Sequence, residues 1–205
     1  MRPVTPDRLV AHLTELILAL VDPTGWVRVG LDGPDAAHPE RLADALVAPL
    51  RAAGHAAVRV IAADQLRPAS RRYERGRTDP DSYSDDWLDE EGLRREVLDP
   101  LSPGGTGRVR PVRWDARTDR ASRSGFDELK PGSVLLLSGP LLLGRGLPLD
   151  LTVHLDLTPA ALARRTPEAQ AWTLPAFARY TAEVAPATWA DVVVRYDDPR
   201  HPALA

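Results

Sequence analysis

The apolar positions of this 205-residue chain change period several times, and each change marks an expected element. Leu9, Val10, Leu13, Leu16, Ile17 and Leu20 recur every three or four residues, the stripe of an amphipathic helix. Thr5 and Pro6 just ahead supply a side-chain cap and a proline at the first helical position. "WVRVGLD" (26–32) alternates and is valine-rich, which predicts a strand running into Gly33. Leu42, Leu46 and Leu50 return to the helical period until Gly54 stops it. Further strands are expected at "AVRVIAA" (57–63), "SVLLLSG" (133–139), "LTVHLDL" (151–157) and "ADVVVRYD" (190–197). The second of these is apolar without interruption, as befits a central strand buried on both faces. Helices are expected over 87–98, from Thr158-Pro159 onward, and within 174–184. Residues 67–86 are polar, arginine-rich and aperiodic, and predict a long loop or lid. Strands alternating with helices predict an α/β fold, a parallel sheet of about five strands with helices on both faces. Neither a repeat nor a linker divides the chain, so one domain over 1–205 is expected.

Composition narrows this picture. A hydrophobic content of 43% and a charged content of 27% are those of an ordinary globular protein. The chain has no cysteine, which excludes disulfides, zinc thiolates and thiol nucleophiles. The apolar N-terminal stretch is broken by Asp7, Arg8, His12 and Glu15 and has no cleavage-site pattern. It is too polar to span a bilayer, and a cytoplasmic protein without a membrane partner is expected. A formal net charge of −3 argues against nucleic acid as a partner. Of the 26 basic residues only Lys130 is a lysine, so a phosphate-gripping lysine is scarcely available. The five histidines show no metal-ligand spacing, and His154, inside a strand, reads as a satisfied core residue.

The stretch "VGLDGPDAAHPERLADAL" (29–46) has the strand, glycine turn and helix of a phosphate-binding loop. Such a loop needs glycines that let the backbone wrap a phosphate, a lysine, and a Ser/Thr hydroxyl for magnesium. Gly33 stands where the first glycine belongs. The second glycine falls at His38, the lysine at Pro39 and the hydroxyl at Glu40, with Asp35 and Ala37 between. Pro39 brings no charge and removes a backbone donor. Glu40 suits the positive end of a helix and repels a phosphate there. The same two residues read equally as a good helix start.

Six segments in order resemble the uridine kinase family of P-loop nucleoside and nucleotide kinases. They are "GLDGPDAA…LADAL", "RPASRRYERG", "LRREVLDPLSPGGTGRVRPVRWDARTDRAS", "VLLLSGPLLL", "FARYTAEVAP" and "ADVVVRYDDPRHP". The resemblance implies a P-loop NTPase-like sheet, Mg-ATP and phosphoryl transfer to a nucleoside hydroxyl. It also implies an acid at the end of the buried strand, where this chain has Ser138, and a catalytic carboxylate after the second strand. Gapless alignment puts that carboxylate at Ala63, with Asp64 the candidate base one residue on. The region of Arg67, Arg71, Arg72 and Tyr73, together with Arg179 and Tyr180, is implied on the substrate side. Arg164 and Arg165 are implied as lid arginines, although they also read as a plain helix end. Arg forks suit an anion, while Asp79, Asp81, Asp85 and Asp86 could neutralise them locally.

No cofactor is firmly indicated, and Mg-ATP would apply only if the family activity survives. Three readings stay open. The first is a kinase-like protein that binds a nucleotide-like or anionic small molecule, a nucleoside or nucleotide by resemblance, with little or no Mg-ATP phosphotransfer. The second is an active kinase with a non-standard donor site. The third is an interaction scaffold with a vestigial pocket.

Overall fold

The computed structural model describes residues 1–205. Five parallel strands form its centre, β2 (Val27–Asp32), β3 (Ala57–Ile61), β8 (Val134–Gly139), β9 (Leu151–Asp156) and β10 (Val192–Arg195). Two-residue strands β1 (Arg2–Pro3) and β11 (Ala203–Leu204) extend one side antiparallel, giving seven strands in the order β1-β11-β10-β9-β2-β8-β3. The pairs β4 (Arg108–Val109) with β7 (Asp127–Glu128), and β5 (Trp114–Asp115) with β6 (Arg120–Ala121), make two small separate ladders. The expected five-strand count is thus exceeded by β1 and β11, which are too short to show a period.

Why β8 is central follows from its residues. Leu135 and Leu137 point to one face, Leu136 to the other, and all three are fully buried. On the Leu136 face lie helices α1 (Pro6–Leu20) and α2 (Pro39–Ala52), through Leu9, Leu13, Ile17, Leu42, Leu46 and Leu50. The helical stretch from Glu90 to Leu101, with Leu93, Val97 and Leu98, covers the opposite face. Thr5 caps α1 as its sequence suggests, its Oγ1 accepting from the Arg8 N–H at 3.3 Å. Arg28 is an exception inside β2. Its guanidinium forks onto Asp150 at 2.8 and 2.9 Å, which satisfies a charge that the sheet interior could not otherwise hold.

Residues 67–86 are not a structureless loop. They contain α3 (Ala69–Arg72) and α4 (Pro80–Asp85), the latter capped by Asp79 accepting from the Ser82 N–H at 2.6 Å. The helix expected over 87–98 begins later, at α5 (Glu90–Leu93), and continues as a π turn over Arg94–Leu98. Near the C-terminus, α6 (Pro159–Arg165) and α7 (Leu174–Arg179) precede β10, α7 running on into a second π turn at Tyr180–Val184. No helix is long and apolar enough to cross a membrane.

Leu136→Ala should lower the unfolding free energy by about 2–5 kcal/mol, because a fully buried leucine leaves a cavity behind. Urea denaturation with an unchanged m-value would check this, and a loss under 1 kcal/mol would contradict the packing described.

Candidate functional site

From β2 the chain crosses to β3 on one side of the sheet, and from β8 it crosses to β9 on the other. The carboxyl end of β2 therefore lies where strand order reverses, the place where open α/β sheets form a crevice. Asp32 ends β2 there and is fully buried. Its Oδ1 accepts the Leu142 N–H at 2.8 Å, and its Oδ2 lies 2.7 Å from His154 Nδ1 on β9. The Tyr180 hydroxyl donates to the same Oδ2 at 3.2 Å and accepts from the Leu143 N–H at 2.9 Å. Burial, and after it the Asp32 charge, push the Tyr180 phenol upward. His154 is thus a partnered core histidine, as its strand position suggests. Tyr180, expected toward a substrate, is buried in this network instead.

After Asp32 the chain turns through Gly33, where an added Cβ would come within 2.9 Å of the Leu155 Cβ. Asp35–Ala37 then form one 3-10 turn, which spends two amides within the loop. The Ala37 N–H donates to Pro34 O at 2.7 Å and the His38 N–H to Asp35 O at 3.0 Å. His38 sits in the left-handed region at φ 56°, and its Nδ1 lies 3.0 Å from Glu40 Oε1. Pro39, buried and without an N–H, is the first residue of α2. Ser138, at the place of the implied strand-end acid, is buried with no partner for its hydroxyl. Among the residues no group of three or more His, Asp or Glu could hold a metal ion.

A cavity of about 120 Å³ opens beside this loop, between Asp35, Ala63, Leu66, Tyr83, Trp87 and Arg145. Tyr83 and Trp87 meet edge-on with ring centroids 5.0 Å apart, and Trp172 and Phe177 pack behind Tyr83 at 5.5 and 6.0 Å. The Tyr83 hydroxyl is buried beside the Asp35 carboxyl, and no protein donor reaches its oxygen. Burial and the neighbouring Asp35 charge raise its phenol well above the ordinary range. Asp35 stands at the mouth, and its carboxyl is pushed up by desolvation and then by the Glu40 charge. Position 63, the gapless counterpart of the implied catalytic carboxylate, lies on the cavity wall but is an alanine. Asp64 is not on that wall. It follows in the 3-10 turn Ala62–Gln65, and its carboxyl is raised by burial and by Asp115.

The arginines implied on the substrate side are committed elsewhere. Arg72 is buried, donates to Arg67 O at 2.8 Å, to the Tyr73 hydroxyl at 3.1 Å and to Asp119 at 3.2 Å. Arg67 lies 4.0 Å from Asp86, Arg71 3.6 Å from Glu74, and Arg75 3.2 Å from Asp86. Arg179 bridges Asp81, at 2.6 Å, and Asp85. Arg165 donates to Tyr196 O at 2.7 Å, while Arg164 is exposed at the end of α6. Sequence reasoning missed Asp32, Tyr83 and Arg145. The Arg145 guanidinium reaches Leu141 O, Ser84 O and the Glu90 carboxylate at once.

The arrangement has solved counterparts. A possible uridine kinase from Bacillus stearothermophilus superposes with a TM-score of 0.73 at 21% identity, covering 91% of this chain and 97% of that one. The fold is that of the P-loop kinases. A provisionally assigned fructose transport system kinase from Silicibacter sp. TM1040 matches with a TM-score of 0.60 at 25% identity, over 87% of this chain and 92% of that one. No protein-family model matches the sequence, and no curated protein does so significantly.

Asp32→Ala should cost about 3 kcal/mol of stability, since it strands three buried partners at once. Tyr180→Phe, which removes one hydroxyl, should cost about 1 kcal/mol. Chemical denaturation of both variants checks the order, and a reversed order would contradict the network's centre at Asp32.

Asp35→Asn should raise the melting temperature at pH 7. The folded-state carboxyl is raised above its unfolded value, so the folded chain binds the extra proton and ionisation of Asp35 opposes folding. That advantage of the amide should shrink as pH falls through the raised range toward the ordinary carboxylate value. Melting curves of both proteins between pH 4 and 7.5 decide it; a constant difference would contradict the sign.

Proposed function

We propose that this chain is a uridine kinase-like binding protein that holds a small molecule at the cavity beside Tyr83 and turns over little or no Mg-ATP. The observation that carries this is the closed loop. A β-phosphate needs several amides pointing at it, whereas the Ala37 and His38 amides donate inward and Pro39 has none. The residues at hand also do not fit the metal: Glu40 stands at the hydroxyl position and Ser138 at that of the strand-end acid. Lys130 precedes β8 and so lies toward the opposite end of the sheet. Single cationic contacts to a transferring phosphoryl group can be worth roughly 10³–10⁵ in rate.

The acceptor side keeps what the donor side lacks. Its cavity has apolar and aromatic walls with a few polar groups, the usual build of a small-molecule site. A ring such as a nucleoside base matches those walls. A phosphate or other anion fits less well, because Arg67, Arg72, Arg75 and Arg179 each already face an acid.

Thermal melting tests the reading. Millimolar Mg-ATP should leave the melting temperature unchanged, while a ligand of the acceptor side such as uridine should raise it. Saturation at 100 times the dissociation constant stabilises by about 2.7 kcal/mol, a shift of roughly 5–10 °C for a chain this size. A magnesium-dependent shift with ATP would overturn the proposal and move the non-standard kinase to the front.

A further inference from the structure

We infer that the cavity beside Tyr83 selects a small ring-bearing organic cation, a molecule with an ammonium group attached to one six-membered ring. This rests on the reading above that the ligand binds on the acceptor side. It goes beyond that reading in assigning the ligand's charge.

Three side chains supply the cavity's polar character, Asp35, Tyr83 and Arg145. Arg145 is largely committed: three of its five guanidinium N–H groups engage two carbonyls and Glu90, whose carboxylate balances its charge. Tyr83 presents a buried hydroxyl beside the Asp35 carboxyl: its proton can turn to that carboxyl, while no protein donor reaches its oxygen. Asp35 is different again. It faces the cavity with no cation bound to it, beside aromatic rings and within the field of Glu40. His38, whose charge would favour the Asp35 carboxylate, is turned to Glu40 at 3.0 Å. No arginine or lysine pairs with the Asp35 carboxylate, and the opposing effect of desolvation and Glu40 outweighs the help of His38 and the Tyr83 hydroxyl.

An ammonium group suits this setting in three ways. It pairs with Asp35, which is exposed at the edge of the cavity's apolar and aromatic walls. It can donate to the Tyr83 oxygen, which accepts from no protein group. It also sits against the rings of Tyr83 and Trp87, whose negative faces attract cations. A carboxylate or phosphate in the same place would meet Asp35 without a free arginine to offset it. Size limits the rest of the ligand. About 120 Å³ is close to the roughly 150 Å³ that accommodates a benzene ring in an engineered core cavity. One ring therefore fills the space, with its substituent toward Asp35 at the mouth.

Three near-isosteric probes separate charge from shape: benzylamine, benzyl alcohol and benzoate, titrated calorimetrically into the full chain at pH 7.5, with uridine alongside. Benzylamine should bind at least tenfold more tightly than benzoate and several-fold more tightly than benzyl alcohol. Asp35→Asn should bring benzylamine down to the level of benzyl alcohol, and Tyr83→Phe should weaken it by a smaller factor. Benzoate binding as tightly as benzylamine, or an amine preference that survives Asp35→Asn, would overturn the inference. Uridine binding without any amine preference would overturn it too, while leaving the acceptor-side reading in place. Heat from none of the four would overturn both.

Discussion

A carboxylate with no exposure to water has to be surrounded by donors, and Asp32 is such a group. Its demands fix four separate pieces of chain. The end of β2 is tied to β9 through His154, to the segment after β8 through the Leu142 N–H, and to the π turn following α7 through Tyr180. Leu141, one residue before the tethered Leu142, is a wall of the cavity, and Gly33, one residue after Asp32, begins the loop. Both the loop and the cavity hang from that one carboxylate. An apolar substitute of similar size would leave the His154 ring and two polar groups competing for no acceptor, so the core tolerates this charge only as a complete set.

The loop and the sheet rest on separate sets of contacts. Pro39 and Glu40 make a sound start for α2, because a proline lacks only an N–H that the helix would not use and an acid suits the positive end. The physics that stabilises the helix is the physics that works against a phosphate. Nothing in the sheet depends on that phosphate, since the sheet is held by Leu135, Leu136, Leu137 and their neighbours. A site's chemistry must therefore be argued from its own residues and not from the sheet that carries them.

How far the sequence was legible follows the same division. The apolar runs of β2, β8 and β9 and the stripes of α1 and α2 stand out because each spans several periods. Helices α3 and α4, of four and six residues, span fewer than two turns and leave no stripe to read. Asp32 was invisible as a hub because its partners lie 110, 122 and 148 residues away along the chain. The abundance of Asp beside the arginines of 67–86 did suggest local pairing. Partner choice was another matter: Arg72 takes Asp119, and Arg179 reaches back to Asp81, 98 residues away. His38, Pro39 and Glu40, by contrast, are consecutive, and the helix start that Pro39 and Glu40 make could be read directly.

Arg72 also determines how the cavity wall is held. Its carbonyl accepts from the Ser82 hydroxyl at 2.7 Å and from Trp87 Nε1 at 3.1 Å, while its side chain holds Arg67 O, Tyr73 and Asp119. The aromatic wall and the β5–β6 hairpin are therefore one body. Trp87 cannot leave the wall without giving up its bond to the Arg72 carbonyl, on which Ser82 also depends. A ligand of the kind proposed for this cavity would meet a wall already shaped and lose little affinity to ordering it.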